Sequence, residues 1–134
     1  MAWLSFVMSA LFCISAALQL NDPDPLVWIA MYLIAGGASF LAAGALRGSL
    51  GWMPTARFLT ASVGMIALGA AALRAWSALS HLTLGHLFES MKAATPAIEE
   101  SRELFGLLLI AAWNVALFFW LRRPSQQATS EKSL

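Results

Sequence analysis

The chain has 134 residues, of which 60% are hydrophobic and only 11% charged, with a formal net charge of +1. A soluble domain is about one quarter charged, and one of this length could not hide four apolar stretches of roughly 18 or more residues from water. Composition therefore excludes an ordinary soluble enzyme, and basic residues that form no patch disfavour nucleic-acid binding. The single cysteine, Cys13, rules out an intramolecular disulfide or a thiol pair. Its neighbours are all apolar or small, so it reads as helix packing and not as an activated thiol.

The pattern predicts an all-α membrane protein, a four-helix transmembrane bundle of up-and-down order. The first span covers residues 2–20. It lacks a preceding Lys or Arg and is followed by further spans, so it reads as a retained helix and not a signal peptide. It stops at Asn21-Asp22-Pro23-Asp24-Pro25, where two prolines and two aspartates cannot continue a helix. Pro25 suits a first helical position with Asp24 as N-cap, and the second span follows over 26–46. A polar loop over 47–57 leads to the third span, 58–76. There Thr60, Gly64, Ala67, Ala71 and Ala75 recur at spacings of three and four, which puts small residues on one packing face. Gly36, Gly37 and Gly44 could serve the second span in the same way.

Between spans three and four, Leu84, Leu87, Phe88 and Met91 alternate with His86, Glu89 and Lys92. This predicts a short amphipathic helix at the membrane interface. Thr95-Pro96 then starts a helix with Glu99 and Glu100 in its first turn, whose apolar part, 104–121, is the fourth span. The transmembrane domain is thus 1–123, and the Ser/Gln/Lys-rich residues 124–134 read as a disordered cytoplasmic tail.

Four antiparallel spans place Arg47, Arg57, Arg122, Arg123 and Lys132 on one side with Glu131 alone against them. The other side holds most of the carboxylates. The positive-inside rule then puts both termini in the cytoplasm of a cell (inner or plasma) membrane. Trp3, Trp28, Trp52, Trp76 and Trp120 fall near predicted helix ends, as an aromatic belt requires, while Trp113 is nearer mid-span.

The unusual polar groups gather on the extracytoplasmic side: Gln19, Asn21, Asp22 and Asp24 from the first hairpin, Arg74 from the third span, and Glu99, Arg102 and Glu103 from the fourth helix. Glu103 shares a stripe with Leu107, Ile110 and Asn114, which turns it toward the bundle. Asn114, the strongly polar group deep in the fourth span, suits an interhelical hydrogen bond. Asp22 sits unfavourably at a helix C-terminus and calls for a partner such as Arg74 or Arg102. The run from Gln19 to Asp24 with Trp28 and Tyr32, joined by Glu99, Arg102, Glu103 and Gly106, resembles the transmembrane protein 220 family. That resemblance implies a small multi-pass membrane protein and names no activity.

These residues make Gln19, Asn21, Asp22, Asp24, Trp28, Tyr32, Arg74, Glu99, Arg102 and Glu103 a candidate ligand-binding cluster. No cofactor is predicted, though a cation on Asp22, Asp24 and Glu103 is compatible with hard oxygen ligands. His81 and His86 are weaker metal candidates, being five apart and so about 140° apart on a helix. The favoured expectation is a binding or accessory protein in the lipid bilayer, with a membrane-protein partner or a second copy as its companion. Alternatives are an enzyme acting on a lipid or quinone at the outer interface, for which no recognised catalytic signature is present, and a purely structural subunit.

Overall fold

A computed structural model describes residues 1–21, 25–48, 50–78 and 96–123. Those residues form helices α1 (Ala2–Leu18), α2 (Pro25–Leu46), α3 (Met53–Ala78) and α4 (Pro96–Arg122), with 3₁₀ turns at Gln19–Asn21 and Leu50–Trp52. No strand occurs among them. The amphipathic helix expected after α3 and the tail after α4 lie outside the described residues.

Local chemistry accounts for the helix ends. Pro25 and Pro96 open α2 and α4, where the missing N–H costs nothing and the ring presets φ. Gly48 follows α2 with φ +104°, a left-handed backbone that stops a helix and strains any residue with a Cβ. α3 begins at Met53, earlier than the expected 58, because Pro54 falls in its first turn, which tolerates proline, instead of in the loop.

α2, α3 and α4 are each long and apolar enough to cross a membrane. α1 is apolar but has 17 residues, which spans about 26 Å at 1.5 Å per residue, the short end of what a bilayer core requires.

Side-chain register gives the directions. Phe6 meets Phe40, Ser9 bonds the Gly36 carbonyl and Phe12 meets Tyr32, so α1 and α2 are antiparallel. Arg57 reaches Leu121, Gly64 faces Val115 and Arg74 pairs with Glu103, so α3 and α4 are antiparallel too. Tyr32 against Gly106 and Ser39 against Trp113 run parallel, as alternate members of an up-and-down chain must. α2 packs on all three other helices, whereas the α1 backbone comes close to neither α3 nor α4 among the described residues. α1 therefore lies along α2, and its buried Phe12 and Ala16 join the core that α2, α3 and α4 share.

Small residues fill the seams. Thr60, Gly64, Ala67 and Ala71 are buried along α3, as their spacing predicts, and a Cβ at Gly64 would lie 3.1 Å from Val115 Cγ2 and 3.3 Å from its backbone nitrogen. Lipid offers helices no hydrophobic driving force to associate, so such close backbone approach supplies the packing. Gly36 does the same for α1, with Ser9, Phe12 and Cys13 around it. Gly37 meets nothing within 4 Å, so it is not a packing position. Cys13 itself lies exposed at the rim of the α1–α2 seam, touching Gly36 without being enclosed.

Candidate functional site

The end of the bundle formed by the last turn of α1, the first turns of α2 and α4 and the last turns of α3 is the end where the candidate polar residues were expected. Asp22, Asp24, His81 and His86 lie outside the described residues, and of Asn21 only the backbone turn is described. The rest can be placed.

Trp28 and Tyr32, one helical turn apart on α2, are both buried with ring centroids 6.3 Å apart, and Phe12 of α1 approaches Tyr32 at 6.2 Å. Both residues face α4 at Gly106. A Cβ there would lie 2.7 Å from the Tyr32 hydroxyl and 3.8 Å from the Trp28 ring, so glycine makes room for the tyrosine. Trp28 is thus a packing residue rather than a member of an interfacial belt, because its side chain is turned toward α4 and away from lipid. Trp3 and Trp76 keep the exposure that a belt position needs, at 72% and 91%.

Across the same end, Arg74 of α3 forms an ion pair with Glu103 of α4. The carboxylate is the enclosed partner, its side chain 13% exposed against 51% for the arginine. Leu107, Ile110 and Asn114 below it are all buried, as expected of the inward stripe that carries Glu103. Glu99 and Arg102 are half-buried on neighbouring turns, and Arg102 has no ion pair among the described residues. Gln19 presents a buried Oε1 without a hydrogen-bond partner among those residues.

Arg74 also lines a half-open cleft of about 190 Å³ between α2, α3 and α4, whose other walls are Val27, Trp28, Met31, Ala70, Leu73 and Leu107. Its walls are otherwise apolar, and Arg74 is the one charged residue among them. No group of three or more His, Cys, Asp or Glu that could hold a metal ion occurs among the described residues.

Mid-bundle polar groups bond partly between helices and partly to their own backbone. The Trp113 indole donates to Ser39 Oγ at 2.9 Å, which in turn donates to the Ala35 carbonyl. Asn114 does not make the expected interhelical bond. Its Nδ2 donates to the Ile110 carbonyl of its own helix at 2.9 Å, and its Oδ1 is without a partner among the described residues.

The apolar cleft and the contact of Arg57 with Leu121 escape sequence inspection. A cleft wall looks like any lipid-facing stretch, and the acceptor of Arg57 is a backbone carbonyl, which leaves no trace in residue identity.

Apolar helices of spanning length, tryptophans at their exposed ends and charges confined to the helix termini define an integral membrane protein of the polytopic α-helical class. Within that class, the sequence matches the family described as Transmembrane family 220, helix, over residues 11–119, and the chain belongs to that family. No solved structure matches it.

Proposed function

We propose that the protein is a membrane binding or accessory protein that holds a small lipid-like amphiphile, its apolar part in the α2–α3–α4 cleft and its polar head on the Arg74–Glu103 pair. The observation that carries this reading is that Arg74 belongs to both features: it lines the apolar cleft and pairs with the largely enclosed Glu103. A pair of opposite charges whose arginine lines an apolar cavity suits a head with both a donor and an acceptor, since the guanidinium offers five N–H groups and the carboxylate only accepts. The volume fits a group of modest size, because an apolar cavity of about 150 Å³ already accommodates a benzene ring. Gln19 and Pro25 flank Asp22 and Asp24 in the chain at this same end, which supports including the two carboxylates in the site, where they could take a cation or the cationic part of a head group. The excess of arginine at the opposite end supports an extracytoplasmic position for the cleft.

The test is mass analysis of the protein released intact from its membrane in mild detergent. A bound amphiphile is expected on the wild type, absent from Ala70→Trp, which fills the cleft, and at least about tenfold depleted in Arg74→Gln, since a hydrogen bond to a charged group contributes roughly 1.5–3 kcal/mol. A wild type free of adducts, or an adduct that survives Ala70→Trp, would overturn the reading.

A further inference from the structure

We propose that the opposite end of the bundle, where Arg57, Arg122 and Arg123 gather, is a docking site for the phosphate head of an anionic phospholipid. Arg57 sits in the second turn of α3 and donates Nε and Nη2 to the Leu121 carbonyl of α4, at 3.0 and 2.8 Å. That contact fixes the guanidinium plane against the end of α4. Three of its five N–H groups are left without a partner among the described residues. Arg122 and Arg123 follow Leu121 directly, and each is laid over a ring of its own helix, 5.4 Å from the Phe118 centroid and 4.4 Å from that of Trp120. Stacking of this kind holds a guanidinium by its face and leaves its N–H edge for an acceptor.

No carboxylate described at this end pairs with these charges, because the described carboxylates, Glu99, Glu100 and Glu103, all belong to the first turns of α4 at the other end. Topology alone would be served equally by lysine, whereas preset planar forks match the oxygens of a phosphate. The surface beside the arginines selects a lipid over a soluble anion. Phe58, next to Arg57, and Phe119, next to Trp120, are 71% and 60% exposed, so acyl chains below a bound head would meet apolar side chains.

The full-length protein in detergent, titrated with phosphatidylglycerol or phosphatidylcholine and read by native mass spectrometry, tests the proposal. Phosphatidylglycerol is expected to bind more than tenfold tighter, with roughly fivefold lost for each arginine removed, as expected for a basic residue near an anionic membrane surface. Arg57→Gln also removes the contact to Leu121, so the deciding variant is Arg122→Gln/Arg123→Gln, which disturbs only ring contacts. Equal affinity for the two lipids, or undiminished phosphatidylglycerol binding by the double variant, would overturn the proposal. So would displacement of the lipid by equimolar inorganic phosphate, which would assign the site to a soluble anion.

Discussion

Tyr32 and Gly106 show how two residues far apart in the chain come to depend on one another. The tyrosine ring is confined by Phe12 on one side and Trp28 on the other, so its hydroxyl cannot retreat from a new methyl group 2.7 Å away. Gly106→Ala is therefore expected to destabilise the detergent-solubilised protein by about 1–3 kcal/mol, the usual cost of overpacking. Tyr32→Phe removes the clashing atom. In the double variant the loss should fall well short of the two single losses added together, measured as thermal or denaturant midpoints, and strict additivity would show that the contact does not limit packing. Trp28, Tyr32 and Gly106, which stand in the two short stretches that carry the family resemblance, are thus physical neighbours.

The two antiparallel helix pairs share close packing at small residues and differ in their polar contacts. α3 and α4 join through small residues in the middle, the Arg74–Glu103 pair at one end and the Arg57–Leu121 contact at the other. α1 and α2 join through Gly36 and the Ser9 hydroxyl, with the Arg47 guanidinium 4.6 Å above the Phe6 ring. Glycine substitutions should separate packing faces from lipid faces. Gly64→Leu would push against the Val115 backbone, which cannot rotate away, and should lower stability by more than about 1–3 kcal/mol. Gly37→Leu, with open space around it, should be neutral or slightly stabilising, since leucine is the better helix former. Equal losses at the two positions, seen by thermal unfolding in detergent, would contradict the described α3–α4 seam.

For the whole molecule, the up-and-down order places the α2–α3–α4 cleft and the arginine end at opposite ends of the bundle. With the arginines inside, cysteines introduced at Ser49 and Ser130 in a Cys13→Ala background should resist an impermeant thiol reagent in intact cells, and one at Ala94 should react. The opposite labelling would put the cleft in the cytoplasmic leaflet and the arginine end outside. Because the α1 backbone runs close to α2 and to neither α3 nor α4 among the described residues, much of its apolar surface, including Leu11, Ile14 and Leu18, is left to lipid.

Much of this architecture is legible one residue at a time. Long apolar runs and the prolines at 25 and 96 give the helices, their approximate ends and their alternating direction, because an unpaired backbone in hydrocarbon is costly, whereas Pro54 reads as loop and in fact falls in the first turn of α3. The small-residue stripe of α3 and the inward turn of Glu103 are legible too, since helical period alone puts those positions on one face. Lateral arrangement is another matter. In a soluble helix the polar face marks the outside, but here nearly every face is apolar, so hydropathy cannot say which one meets lipid and which meets a neighbour. Close packing made that choice: it laid α1 along α2, turned Trp28 inward onto Gly106, put Glu103 within reach of Arg74 and left between three helices a cleft that no run of letters announces.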